Sequence, residues 1–307
     1  MTGVGANAES VRELSDVPSF PAIYAAALAP RPGARRSREL PDLAYRVRRV
    51  RIDPERAAAF DHLMGGAATD LVHPGVLHVL AFPVSLALMA RPRFPAPLLG
   101  LVHVSNQVLQ HRAVRVGELV DVECRVRNLR PHRKGRTFEA VSTVSVDGEI
   151  VATDVSTYLT RGGGGSSSPE HSATGATRYR PFDPPVPTAR WRLGADTGRR
   201  YATVSGDANP IHLSALSARL FGFPSAIAHG MYTASRAFTE ARVDLHRPLR
   251  WEVTFDAPVT LPGTVLVRFT DEESDAAGER VRCVGWRPGR EGRAPRRCFE
   301  VEVTSLT

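Results

Sequence analysis

The chain has 307 residues, of which 42% are hydrophobic, so it is long enough for two domains with sizeable cores. No segment approaches the roughly 20 uncharged apolar residues of a transmembrane helix, and the N-terminus lacks the pattern of a signal peptide. We therefore expect a cytoplasmic protein with no membrane partner. The net charge of +8 comes almost entirely from dispersed arginines, which does not predict a nucleic-acid surface but would attract anionic partners.

The first predicted elements are a short helix, a strand and a capped helix. Prolines break residues 1–40 and leave only 21–29 as a short helix. Residues 43–52 alternate and are rich in β-formers, which predicts a strand. Asp53-Pro54 then supplies an N-cap with proline at the first helical position, so a helix begins there and ends before Gly65-Gly66.

A long apolar helix and four strands complete the first half. The run from His73, HPGVLHVLAFPVSLALMA, is apolar on nearly every face, which predicts a helix buried on all sides. Four β-rich segments follow between residues 98 and 160, with Asp147-Gly148 as the hairpin turn between the last two. A buried helix followed by an antiparallel meander predicts an α+β hotdog fold, in which the sheet wraps around the helix.

A linker and an internal repeat divide the chain into two domains. Residues 162–186 are rich in glycine, serine and proline and cannot bury enough apolar surface to offset their ordering entropy. We therefore predict a first domain over 1–161, a linker over 162–186 and a second domain over 187–307. The second half repeats the first at an offset of about 150 residues, with His229 aligned on His73, which fits tandem copies of one domain.

One loop of the second half has no counterpart in the first. Residues 205–212 read SGDANPIH, whereas the matching place in the first half reads MGGAATDLVH. Asp207 and His212 lie five residues apart on a loop that Pro210 restricts, so both side chains can reach one water or one substrate proton. The loop is followed by Phe221-Gly222-Phe223 and by His229-Gly230-Met231.

This pattern resembles the hydratase motif of the MaoC-like family, which comprises (R)-specific enoyl-thioester hydratases and 3-hydroxyacyl-thioester dehydratases. The motif covers the second half, while the tandem arrangement resembles the double-hotdog members, in particular actinobacterial dehydratases of fatty-acid elongation. The resemblance implies a hydro-lyase that acts on an acyl-coenzyme A or acyl carrier protein thioester and needs no cofactor. It also implies either a monomer with paired repeats or a homodimer.

The resemblance gives roles to individual residues. Asp207 and His212 would hold the reacting water and exchange protons with Cα and the hydroxyl, in an order that the motif leaves open. Asn209 would orient the loop or the histidine ring. Gly230 would offer its N–H to the thioester carbonyl at the N-terminus of the buried helix, where unpaired amides and the helix dipole favour negative charge.

Two further residues have alternative interpretations. Ser235, one turn into that helix, either hydrogen-bonds the catalytic loop or is a small residue at a packing contact. His229 is interpreted as structural, because His73 takes its place in the repeat that lacks the loop. The three cysteines show no metal-ligand spacing, so we expect buried, reduced thiols and no metal.

Two other functions are compatible with the fold. A hotdog thioesterase would also bind an acyl thioester and use an acid to activate hydrolytic water, but such enzymes do not characteristically carry Asn-Pro-x-His. A non-catalytic acyl-binding or scaffold subunit is suggested by the degenerate first half, and the intact Asp207 and His212 argue against it.

Overall fold

The computed structural model describes residues 10–29, 36–161, 182–275, 278–289 and 291–306. The predicted linker lies outside these ranges except for 182–186, and the domain boundaries stay a prediction. Within the described ranges, no helix combines the length and apolar character needed to cross a membrane. The three cysteines are free and buried, as predicted.

The helices and strands follow the predicted order, with additions. The helices are α1 (Phe20–Leu28), α2 (Pro54–Met64), α3 (Pro74–Met89), α4 (Thr197–Ser205), α5 (Pro210–Leu213), α6 (Ala215–Leu220) and α7 (Gly230–Ala241). The strands are β1 (Ser10–Leu14), β2 (Leu43–Arg51), β3 (Leu101–Gln110), β4 (Leu119–His132), β5 (Gly135–Val146), β6 (Glu149–Arg161), β7 (Ala189–Leu193), β8 (Leu249–Phe255), β9 (Gly263–Asp275), β10 (Gly278–Arg287) and β11 (Arg296–Ser305). Strands β1 and β7 and the short helices α5 and α6 were not predicted.

The two halves form one sheet with mirrored strand order. Eleven strands run in the order β1-β2-β4-β5-β6-β3-β8-β11-β10-β9-β7. Strands β3 and β8 pair antiparallel at the junction, for example Asn106 opposite Val253. On either side of this junction, each repeat places its strands in the same sequence, which confirms the internal repeat. Only β1 breaks the symmetry, by adding in parallel to the edge strand β2.

A central helix fills each repeat, and the ends of the first-repeat helices carry the predicted signals. In α2, the Asp53 side chain accepts a hydrogen bond from the Glu55 amide, and Gly65 ends the helix at φ 90°. Helix α3 is buried along almost its whole length and packs on β2, β4 and β5. Helix α7, the central helix of the second repeat, packs mainly on β8, β10 and β11. Each central helix begins directly after a histidine, His73 before α3 and His229 before α7.

A side chain of the first repeat also binds the C-terminal end of α4, which leads into the loop that carries Asp207. The Arg56 side chain, on α2, donates to the carbonyls of Val204 (2.6 Å) and Ser205 (2.8 Å). These carbonyls belong to the last turn of α4, where acceptors have no partner inside the helix and a cation is favoured. Gly206 follows in the left-handed conformation (φ 78°) and turns the chain into the loop.

Candidate active site at the start of the second central helix

Side-chain hydrogen bonds fix the loop that carries Asp207. The Asp207 amide donates to Ser205 Oγ (3.1 Å), and the Asn209 amide donates to Asp207 Oδ1 (3.1 Å). Asn209 in turn caps α5, since its Oδ1 accepts from the Ile211 amide (3.4 Å) and Pro210 follows at the first helical position. These bonds favour the first of the two roles predicted for Asn209, the orientation of the loop.

His212 is buried on α5 and held in one tautomer. Its Nδ1 lies 2.8 Å from the carbonyl oxygen of Ile227, which can only accept a hydrogen bond. Nδ1 therefore carries the proton, and Nε2 keeps its lone pair. Burial lowers the pKa of His212, although the Asp207 charge and the bond to Ile227 oppose the shift, so the ring is neutral near pH 7. A neutral ring with a free Nε2 is able to accept a proton.

His229 lies within the site, although the sequence favoured a purely structural role. Its Nε2 donates to the backbone carbonyl of Asp207 (3.0 Å) and lies 3.6 Å from Asp207 Oδ2. Its ring stacks on that of His212, with centroids 3.7 Å apart. Burial, followed by the neighbouring His212, holds the pKa of His229 well below its usual value. The position directly before Gly230 in the motif was the sequence signal for this contact.

The structure brings the two predicted catalytic side chains together. One polar atom from each of Asp207, His212 and His229 lies within 4.8 Å of the others, and all three side chains are buried. Among the described residues, this is the one group that offers enough ligands for a metal ion. The His212 and His229 rings stack rather than converge, and one nitrogen of each binds a backbone carbonyl. This arrangement suits proton exchange better than chelation.

Gly230 and Ser235 lie on α7, beside these groups. Gly230 is the first residue of the helix, so its N–H has no partner inside it, and the His229 side chain does not cap it. A Cβ at Gly230 would come within 2.9 Å of the Phe255 ring, so glycine allows this close approach. Ser235 is fully buried, and its Oγ would lie 2.7 Å from a Cβ on Gly75 of α3. Within the described ranges this Oγ has no hydrogen-bond partner, which favours the packing role over a hydrogen bond to the loop.

Sequence reasoning missed one residue that touches the site. Tyr24, on α1, donates its hydroxyl to Asp207 Oδ1 at 2.9 Å across 183 positions of sequence. The one local signal was the aromatic pair Phe20 and Tyr24, four residues apart on one face of a predicted helix. Nothing in the sequence indicates what that face packs against.

Comparison with known proteins now defines the family. The MaoC like domain matches residues 174–286. The 3-hydroxyacyl-thioester dehydratase X of Mycobacterium tuberculosis is 35% identical over 236 residues, which cover 76% of this chain and 82% of that protein. The chain belongs to the MaoC-like dehydratase family.

Solved structures support the fold of this MaoC-like protein. The crystal structure of HtdX from Mycobacterium tuberculosis superposes with a TM-score of 0.69 and 30% identity, over 86% of this chain and all of that one (100%). Another Mycobacterium tuberculosis protein, described as having a double hotdog fold, gives a TM-score of 0.50 at 14% identity over 84% of this chain and 93% of its own. The predicted α+β double hotdog is confirmed.

Proposed function

We propose that this MaoC-like protein is a (3R)-hydroxyacyl-thioester dehydratase, equivalently an (R)-specific enoyl-thioester hydratase, with Asp207 and His212 as its acid-base pair. As a member of the family it is a hydro-lyase. The convergence of a buried carboxylate and a neutral imidazole beside the N-terminus of α7 supports the residue roles most directly.

The reaction sets three requirements. Loss of water from a 3-hydroxyacyl thioester needs removal of a weakly acidic proton from Cα, protonation of the departing hydroxyl and stabilisation of enolate-like charge on the thioester oxygen. Hydration runs through the same groups in reverse. Two titratable groups on one side of the substrate and one hydrogen-bond donor at the carbonyl therefore suffice, and a syn reaction follows when one face of the substrate meets both titratable groups.

Asp207 and His212 meet the first two requirements as a pair. The lone pair of His212 Nε2 accepts a proton, while its Nδ1–H stays bound to the Ile227 carbonyl and keeps the ring in place. The pair returns the proton taken from Cα to the departing hydroxyl, which leaves as water, so Asp207 and His212 end in the protonation states in which they began.

The Gly230 amide meets the third requirement. It points from the positive end of α7, where developing negative charge is favoured. Because glycine has no side chain, the thioester carbonyl can approach the backbone beside the Phe255 ring. The amide is fixed before the reaction, so it stabilises the enolate without a reorganisation cost.

The substrate is an acyl group carried on coenzyme A or on acyl carrier protein. The related protein of Mycobacterium tuberculosis is named for the same thioester class. A net charge of +8 favours both carriers, since coenzyme A carries phosphates and carrier proteins are acidic. We propose a cytoplasmic enzyme that needs no metal or redox cofactor, binds no nucleic acid and already pairs its two repeats within one chain.

Absorbance of a crotonyl thioester tests the function directly. A hydratase bleaches the conjugated band without releasing free thiol, a thioesterase releases thiol, and a scaffold protein does neither. The product is expected to be the (3R)-hydroxyacyl thioester. A series of enoyl-coenzyme A substrates, repeated with the acyl carrier protein thioesters, gives the preferred chain length and carrier.

Two variants test the acid-base pair. Asp207→Asn and His212→Ala are each expected to lower kcat by about 10²-fold or more, because each removes a group that transfers a proton in the transition state. Circular dichroism and a thermal melt are expected to show a folded protein, since Asp207 lies on a loop and His212 on the short helix α5, outside the sheet and the two central helices. If either variant kept more than about a tenth of the wild-type rate, that residue would lose its assigned role.

A further inference from the structure

The first repeat reaches the catalytic carboxylate through α1. The Tyr24 hydroxyl donates to Asp207 Oδ1 at 2.9 Å, and the Asn209 amide donates to the same oxygen at 3.1 Å. Both donors bind Oδ1. The other carboxylate oxygen, Oδ2, therefore faces His229 and lies 3.6 Å from its Nε2. The two bonds on one oxygen fix the rotation of the carboxylate and determine which oxygen faces the reacting groups.

Packing holds α1 in the position that this bond requires. Phe20, one turn before Tyr24, lies against Gly206, where a Cβ would come within 3.1 Å of the Phe20 ring. Phe20 also packs on Phe82 of α3, with ring centroids 5.6 Å apart. Residues four apart lie on one face of a helix, so the buried Phe20 and the half-buried Tyr24 contact the consecutive residues Gly206 and Asp207.

The phenol keeps its proton in this environment. Burial raises the pKa of Tyr24, and the adjacent Asp207 charge raises it further. A protonated phenol beside a carboxylate can only donate in this pair, so the hydrogen bond persists over the pH range in which the enzyme folds. A phenol that never ionises does not exchange protons with the substrate, which distinguishes Tyr24 from an acid or a base.

We propose that Tyr24 is a positioning residue, contributed by the helix that precedes the catalytically inert repeat, and that it orients the Asp207 carboxylate towards the reacting groups. This inference rests on the proposed function, because it assumes that Asp207 takes part in proton transfer. It gives the first half of the chain a direct part in the chemistry of the second.

Other titratable groups also face Asp207, and the test has to separate them. Tyr201 on α4 and Tyr158 on β6 both feel the Asp207 charge, and His212 and His229 lie within 4.8 Å of it. Among the described tyrosines, Tyr24 is the one whose hydroxyl hydrogen-bonds Asp207. A change confined to that hydroxyl is therefore the informative one.

Tyr24→Phe tests the proposal, with Tyr45→Phe as the matched control. Tyr45 is also held by a hydrogen bond, from Arg91 (3.0 Å), but on β2 and away from the site. Tyr24→Phe is expected to lower kcat about tenfold or more with little change in KM, because a hydrogen bond to a charged group is lost.

Each outcome bears on the proposal. Wild-type activity on the crotonyl thioester is measured first, and its absence would reject the proposed function rather than the role of Tyr24. With an active wild type, a Tyr24→Phe variant that matches Tyr45→Phe in kcat and in KM would overturn the positioning role, as would a rise in kcat.

A second variant covers the case in which Tyr24→Phe unfolds. Phe20→Leu loosens the contact between α1 and Gly206 but retains the Tyr24 hydroxyl. We expect a smaller fall in kcat, again with little change in KM. A wild-type kcat in a folded Phe20→Leu variant, measured by scanning fluorimetry and kinetics together, would count against the proposal.

Discussion

The two repeats share a strand order and a central helix, yet they differ where that helix begins. In the second repeat, the chain from Gly206 to His229 carries the loop with Asp207 and the short helices α5 and α6. In the first repeat, a much shorter stretch joins Gly65 to His73. The difference shows that the shared fold does not by itself bring Asp207 and His212 together, because the segment inserted before the second helix supplies both residues of the proposed acid-base pair.

The histidine before each central helix illustrates the same difference. His73 accepts a hydrogen bond from the Gly75 amide (2.8 Å) and is enclosed by Phe60, Phe238 and Trp251, so it caps α3 inside an apolar core. His229 makes no cap and instead contacts Asp207 and His212. One position in the fold therefore serves stability in one repeat and the site in the other.

The first residue of each central helix differs as well. Gly230 begins α7 with a free N–H, whereas Pro74 begins α3 and has no N–H. The first repeat therefore has no N–H at the position where, in the second repeat, the Gly230 amide is proposed to bind the thioester oxyanion. Both residues are well suited to a helix N-terminus, so the exchange leaves the fold intact.

The first repeat has its own buried polar cluster, and breaking it is expected to give the largest effect on stability. Asp154 accepts hydrogen bonds from His78 (2.6 Å) and Asn106 (2.6 Å), all inside the core. Asp154→Ala removes the carboxylate that pairs His78 and leaves Asn106 Nδ2 with the weaker acceptor Ser156 Oγ (3.0 Å), so we expect the free energy of unfolding to fall by about 3–5 kcal/mol, measured in urea. Glu139→Ala, which removes a largely exposed ion pair with Arg127, is the control, and its cost should be below about 1 kcal/mol.

A cost for Asp154→Ala as small as that of the control would show that the cluster does not stabilise the first repeat. The kcat per folded molecule should stay within about twofold of wild type, because none of the cluster residues transfers a proton.

The amide of Gly230 is tested by making the second repeat resemble the first. Gly230→Pro removes the N–H, whereas Gly230→Ala retains it, and both add a side chain against Phe255. We expect Gly230→Pro to have a kcat about 10²–10³-fold below that of Gly230→Ala, the loss typical of one oxyanion donor. Equal rates in the two variants would remove the oxyanion role from Gly230.

Matched substitutions of the two histidines separate chemistry from stability. His229→Ala is expected to lower kcat about tenfold or more, because the Asp207 loop loses a hydrogen bond and the His212 ring loses its stacking partner. His73→Ala is expected to leave kcat per folded molecule unchanged and to lower stability by about 2–4 kcal/mol through the lost cap and a cavity. If His73→Ala impaired kcat as much as His229→Ala, the division of roles would be wrong.

The smallest expected effect concerns pH and stability. Burial lowers the pKa of His73 to about 3, so the folded protein keeps this ring neutral while the unfolded chain takes up a proton below about pH 6.5. Above about pH 6.5 this difference in proton uptake costs no stability, and as the pH falls towards 3 it lowers the free energy of unfolding progressively. His73→Asn retains a capping oxygen and should reduce the loss of unfolding free energy between pH 7 and pH 5 by about 1–2 kcal/mol.

The control for this measurement is His111→Asn, on the exposed turn after β3. Its urea unfolding curves at the two pH values are expected to match those of wild type. An unchanged pH dependence in His73→Asn would show that His73 is not the buried titrating group.

The amino-acid sequence determined most of the elements, the internal repeat and the two residues of the proposed acid-base pair. Local signals such as Asp53-Pro54, the apolar run after His73 and the motif around Asp207 act over a few residues, and the structure retains each of them. Strand β1 was missed because it is a short, exposed edge strand with no alternating pattern. Strand β7, only five residues long, gives a similarly weak signal before the second central helix.

Tertiary structure alone decided which groups meet at the site. The bonds from Tyr24 to Asp207 and from Arg56 to Ser205 span 183 and 149 positions, and the stacking of His229 on His212 depends on how α5 and α7 pack. Such contacts leave no periodic pattern in the sequence, because they depend on the relative placement of elements from both repeats. Short-range patterns therefore predicted the acid and the base, while the surroundings that orient them became visible only in the fold.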